Sequence, residues 1–159
     1  MSKYFTRDFE AAYKFSKMLI KNESYKLKDF FDGENREENV IDLCIKSNLI
    51  IIKDDFFVPT ENAKEIIKKN KKVSIIGMIK SYLLHFNPDW VFEVYRGIDN
   101  AKDFIPDNWK TIFETYNLFD KNDRDVVRWW NQIKNFKRSF ENQKLSDIGL
   151  EGEFLILDF

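Results

Sequence analysis

Apolar residues along 7–22 recur at near-helical spacing, with Phe9, Ala12, Tyr13, Met18, Leu19 and Ile20 set between charges, and predict a first helix. A short second helix is expected over 27–31, closed by the Asp32-Gly33 turn. A third helix is predicted over 35–47. Val40, Ile41, Cys44 and Ile45 form its apolar face, and Glu37 and Glu38 lie in its first turn, where carboxylates suit the helix dipole. The pattern then changes period. A β-branched run over 49–52, a polar turn at Lys53, Asp54 and Asp55, and a second run over 56–59 predict a hairpin. Thr60 is placed to cap a helix running to about Asn70.

Beyond that point the chain reads as all-helical and aromatic. A strongly apolar helix is expected over 73–86, stopped by Asn87-Pro88. Trp90, Val91, Phe92, Val94 and Tyr95 follow, then Gly97 and a short helix over 99–104. Pro106-Asp107 opens a helix carrying Trp109, Ile112, Phe113 and Tyr116 along one side. The last clear helix spans 123–140, with Val126, Trp129, Trp130, Ile133, Phe136 and Phe140 as its stripe. The expected fold is therefore mainly α: a winged helix-turn-helix of three helices plus a β-hairpin over 1–73, and a small aromatic-rich helical domain over 74–145. Residues 146–159 would start a further domain or form a docking segment. Three helices, a hairpin and a capped helix resemble the winged-helix regulators, with Pro59-Thr60 where the wing gives way to the next helix.

Composition narrows the function classes. The chain has 159 residues, 43% of them apolar, with 16 Phe, 4 Trp and 6 Tyr, enough for a real core. The formal net charge is -1, so any basic surface must come from local segregation. Cys44 is the one cysteine and His85 the one histidine. An intramolecular disulfide and a Cys/His zinc site are thereby excluded. The N-terminal residues lack the apolar core of a signal peptide, and no apolar run approaches the ~20 residues that span a bilayer. A cytoplasmic protein with no membrane association is expected.

No catalytic, metal or cofactor constellation stands out: there is no Gly-rich phosphate loop, no Ser-His-Asp set and no metal-spaced His pair. His85 reads as a satisfied histidine near the core, Asp54-Asp55 as a solvated turn and Cys44 as core packing. In a winged helix the third helix enters the major groove. Here its exposed face is expected to hold Glu38, Asn39, Asp42 and Lys46, with only Lys53 on the wing, a poor match for phosphates. Two basic features remain. One is Lys68, Lys69, Lys71 and Lys72. The other is Arg124, Arg128 and Arg138, with Asn131 and Asn135 in step and Lys134 and Lys137 nearby. A solvated face explains such charges more readily than nucleic acid does. The aromatic surplus points instead to protein contact through Trp90, Trp109, Trp129 and Trp130, and the apolar end from Phe154 to Phe159 also seeks a partner.

The final segment carries a further likeness. Ile148-Gly149-x-x-Gly152-Glu153-x-x-x-Leu157 resembles the opening of the NO VEIN-type C-terminal domain of bacterial restriction and anti-phage proteins, a relative of PD-(D/E)xK nucleases. Pro88, Trp90, Gly97, the Phe113 helix and Trp129-Trp130 are similar to the helical region that often precedes it, so the likeness covers 75–159. The resemblance implies that Glu153 takes the place of the first-helix glutamate. The acidic residue and Glu-x-Lys that hold Mg²⁺ in such nucleases have no counterpart before Phe159. The expectation is therefore a non-catalytic recognition and assembly module that positions an effector in a defence or restriction system. The alternatives are a DNA-binding module using the two basic features, and a homodimeric transcriptional regulator.

Overall fold

A computed structural model of the protein describes residues 3–22 and 37–136. Its order is α1 (Thr6–Asn22), α2 (Glu37–Lys46), β1 (Ile50–Lys53), β2 (Phe56–Pro59), α3 (Glu61–Ile67), α4 (Lys71–His85), α5 (Val91–Val94), α6 (Ile98–Phe104), α7 (Asp107–Thr115) and α8 over 124–136. The chain is mainly helical, with one two-stranded antiparallel sheet among the described residues. The helix expected over 27–31, the Asp32-Gly33 turn and the end of the last helix over 137–140 lie outside the described residues, as do Arg138, Glu153, Phe154 and Phe159.

Local chemistry sets most boundaries. The α2 helix ends where Asn48 turns left-handed (φ 58°) and the Leu49 amide reaches back to the Cys44 carbonyl at 2.8 Å, the pattern by which an asparagine stops a helix. The hairpin pairs Ile50 with Pro59 and Lys53 with Phe56, so the turn is only Asp54-Asp55. Both have positive φ (52° and 67°), as a two-residue hairpin turn requires, and Asp tolerates that conformation better than most residues. Lys53 is thus a strand residue, one step beyond the expected strand end.

Thr60 caps α3, its Oγ1 accepting from the Ala63 amide at 3.0 Å. This helix stops at Ile67, short of the expected Asn70, because Asn70 is itself the cap of α4 and accepts from the Val73 amide at 3.0 Å. Lys71 and Lys72 therefore open α4.

One apolar cluster runs from α1 to α8. The α4 helix lies at its centre, in contact with α1, α2 and α3. The α8 helix is tied to α4 through the Trp129 indole, which donates to the Ile76 carbonyl at 3.3 Å. Gly77 of α4 sits so close to α3 that a Cβ there would stand 3.3 Å from Ile66 Cγ2. Two expected core positions differ from the structure. Ile45 is 43% exposed while Leu43 is fully buried, and Phe136 is 42% exposed. Phe15, absent from the expected stripe of α1, is fully buried and meets Phe57 edge-on at 5.5 Å.

Candidate functional site

The residues before α1, the last turn of α4 and the first turn of α7 converge on an aromatic groove. Tyr82 and Phe86 lie one turn apart on the same face of α4, as i and i+4 positions do. Asn87, left-handed at φ 55°, and Pro88 then end the helix and swing Trp90 back over the groove. Pro106 and Asn108 at the start of α7 set Trp109 as the floor. The rings form a continuous stack. Tyr82 lies against Trp109 at 5.1 Å and 30°, Phe86 against Tyr82 at 5.1 Å, and Trp90 against Trp109 at 5.1 Å. Tyr4 meets Tyr82 edge-on at 5.5 Å. The cavity is about 300 Å³, at the lower edge of the size of small ligand sites.

Polar groups hold this wall in place. The Tyr4 hydroxyl donates to Asp42 Oδ2, and Asn108 Nδ2 donates to the Tyr4 carbonyl at 2.8 Å. Burial and the hydrogen bond to Asp42 push the Tyr4 phenol well above its ordinary range, and burial does the same for Tyr82. Both stay protonated and neutral, so the groove keeps apolar faces, with the Tyr4 hydroxyl turned to Asp42. Lys46 bridges the rim, with Nζ 3.1 Å from Asp42 and 4.4 Å above the Phe86 ring.

That geometry changes the picture of α2. Of the four residues expected on its exposed face, only Glu38 is exposed. Lys46 lines the groove, Asp42 holds both Lys46 and the Tyr4 hydroxyl, and Asn39 donates to the Lys3 carbonyl at 3.2 Å. The predicted docking face of this helix is largely engaged within the chain.

The tryptophans expected at an interface separate into two groups. Trp109, Trp129 and Trp130 are core residues, 4%, 5% and 3% exposed, and this corrects their assignment to a surface. Adjacent Trp129 and Trp130 are both inside because α8 is covered on two sides. The Trp130 indole donates to the Leu118 carbonyl at 2.6 Å, and Trp129 reaches α4. Trp90 alone of the four is half-buried, and it stands on the groove rim.

The basic residues also divide. Lys68 pairs with Glu65 at 3.0 Å and Lys71 with Glu10 at 2.7 Å. Lys72 borders a cavity that also holds Asp123 and Asp125. Lys69 faces a different cavity, between α3 and α4. Arg124 and Arg128 are exposed on α8, Arg128 standing 4.0 Å from Asp125, and Lys134 is half-buried.

His85 is exposed, not near the core. Its Nδ1 lies 2.9 Å from the Ser81 carbonyl and its Nε2 3.4 Å from Asn48 Nδ2. Ser81 donates its own proton to the Ser47 carbonyl and accepts from Asn62 at 2.9 Å, so the Ser81-His85 pair is not arranged as nucleophile and base. Burial raises the Cys44 thiol to about 12, against a weak lowering by Ser16, which leaves it a protonated packing group. Among the described residues no three His, Cys, Asp or Glu side chains gather as metal ligands. No protein-family model, curated protein or solved structure matches the chain.

Nothing in the sequence pointed to the groove as a unit. Its members come from 3–4, 46, 82–90 and 106–109, and only the Asn87-Pro88 stop and the Pro106 start hinted that the chain doubles back there.

Proposed function

We propose that the chain is a non-catalytic recognition module on a winged-helix frame, and that its aromatic groove takes an extended, proline-containing segment of a partner protein. The observation that carries this reading is the pair of accessible rings, Phe86 and Trp90, at the mouth of an open cavity, each backed at 5.1 Å by a buried ring, Tyr82 and Trp109. Aromatic-lined grooves dock proline-rich strands because the pyrrolidine ring packs on an aromatic face and the strand is already extended, so little entropy is lost on binding. The rings are held by Asp42, Asn108 and Lys46 before any ligand arrives, which lowers the cost of ordering further.

The frame reading rests on α1, α2, the hairpin packed on them and the capped α3, together with the sequence expectation of a helix over 27–31, which lies outside the described residues. The resemblance of 75–159 to the opening of NO VEIN-type domains and the helical region before it suggests the setting, a bacterial defence or restriction assembly whose nuclease-like effector this module positions.

An array of proline-containing peptides, each paired with its proline-to-alanine counterpart, tests the groove when probed with the full chain. The expected result is a subset bound only in its proline form, and lost when Trp90→Ala and Phe86→Ala are combined. Equal retention of both peptide forms, or binding untouched by the double variant, contradicts the reading.

A further inference from the structure

The opposite side of α4 carries a second, differently built cavity. Gly77, Lys80 and Leu84 share one face of the helix, roughly half a turn of helical phase away from Tyr82 and Phe86. With Asn62 and Lys69 beside α3 they line a groove of about 220 Å³. The close approach at Gly77 and Ile66 forms its floor.

Three observations set this groove apart from an ordinary charged face. First, its lining contains Lys69, Lys80 and His85 and no carboxylate. Second, Lys80 is half-buried and its Nζ meets a neutral acceptor, Gln132 Oε1 at 2.7 Å, so its charge has no counter-ion there. Burial, and then repulsion from Lys69, lowers the Lys80 ammonium below its ordinary value. Third, the neighbouring lysines of α3 do have carboxylates: Lys64 pairs with Glu61 at 3.3 Å and Lys68 with Glu65 at 3.0 Å. Among the described residues Lys69 and Lys80, inside the groove, have no carboxylate within ion-pair distance.

The Lys80–Gln132 hydrogen bond also brings α8 to the groove's edge. Arg128, Asn131 and Asn135 are exposed on the same helix, Arg128 standing 4.0 Å from Asp125. Of the first basic feature of the sequence only Lys69 lines the groove, and of the second Arg128 stands one turn from Gln132 on α8.

We propose that this groove binds a nucleic-acid backbone, with Lys69 and Lys80 on two phosphates and the exposed polar side of α8 continuing the track. The extension along α8 favours a phosphodiester chain over an isolated phosphate. The contact reads backbone charge and carries no base preference of its own.

The test is fluorescence anisotropy of labelled single- and double-stranded oligonucleotides, titrated with the full chain at several salt concentrations. Two charge-matched variants are compared: Lys69→Gln/Lys80→Gln in the groove, and Lys64→Gln/Lys68→Gln on the flank of α3. The groove variant is expected to lose affinity by about tenfold or more, and its salt slope on duplex to fall by about 1.8, the share of two phosphates. The flank variant should stay within about twofold of the parent, because those lysines already have partners. Lys69→Gln alone, at an exposed residue, serves if the double variant melts early, and should lose part of the same affinity. Equal losses in both variants would show diffuse attraction and overturn the proposal. So would an absence of oligonucleotide binding at low salt, or binding of inorganic pyrophosphate without binding of either oligonucleotide.

Discussion

The two sides of α4 solve the same problem by different means. On the side of Tyr82 and Phe86 the helix is covered by rings, and the polar groups present serve to fix those rings: Tyr4 to Asp42, Asn108 to the Tyr4 carbonyl. On the side of Lys80 and Ser81 it is covered by a hydrogen-bond network. Asn62 donates to Ser81 and to the Asn48 carbonyl at 3.1 Å, and Thr60 donates to the same Asn48 carbonyl at 2.7 Å. That network satisfies the carbonyls left open at the end of α2. The aromatic side holds by buried area, so truncation there leaves a void. The polar side holds by satisfied groups, so truncation there leaves a buried acceptor without its donor. Each side leaves a groove suited to its own chemistry.

The largest break in this comparison is expected from Trp109→Ala. Trp109 touches Tyr4, Phe9, Tyr82, Trp90 and Phe113 and is 4% exposed. Its loss should cost about 3–5 kcal/mol in urea unfolding, the range for a large buried aromatic. Thr60→Ala tests the polar side and should cost about 1–2 kcal/mol, since one hydroxyl caps α3 and also donates to the Asn48 carbonyl. A Thr60→Ala cost as large as that of Trp109→Ala would mean the network, not the ring stack, anchors α4.

A smaller effect comes from pH. Burial raises Cys44 from 9.0 to about 12, and burial with the nearby Glu10 charge raises Tyr116 from 10.0 to about 12. Tyr4 and Tyr82 shift in the same direction. In this alkaline range the folded chain holds protons that the unfolded chain has released. Stability contributed by these groups is complete below pH 9 and is lost as pH rises toward 12. Lys80 works the other way: its lowered value means the folded state releases a proton first, so its share of stability grows with pH. Four raised acids against one lowered base predict a net fall in urea midpoint between pH 8.5 and 10.5. Tyr82→Phe should flatten that fall and Lys80→Gln should steepen it. A midpoint that rises over this range would contradict the burial of the phenols and the thiol.

Much of the frame was legible in the chain because it depends on local chemistry. Thr60 announces a cap, Asn87-Pro88 a stop, and the β-branched run with Asp54-Asp55 a hairpin. The phase of α2 was less legible. Ile41 and Ile45 look as apolar as Leu43, and only packing on α1 decides which side turns inward. Trp129-Trp130 misled for a related reason. Adjacent residues on a helix do point apart, but α8 is covered by α4 on one side and by the turn at Leu118 on the other, so both rings are inside. Lys80 gave no sign at all. A lone lysine in an apolar helix becomes one side of a cationic groove only because Gly77 admits α3 and α8 delivers Gln132. Both candidate sites are products of tertiary contact among residues far apart in sequence, which no local pattern encodes.

The most direct test of the aromatic groove uses the four tryptophans as internal reporters. The indole N–H signals of Trp90, Trp109, Trp129 and Trp130 are resolved in a proton–nitrogen NMR spectrum and assigned by single substitution. A proline-containing peptide selected on the array is then titrated into the full chain. The account predicts that the Trp90 and Trp109 signals move together and saturate, while those of Trp129 and Trp130, hydrogen-bonded to Ile76 and Leu118, stay in place. Movement confined to Trp129 and Trp130, or no movement at saturating peptide, would contradict it.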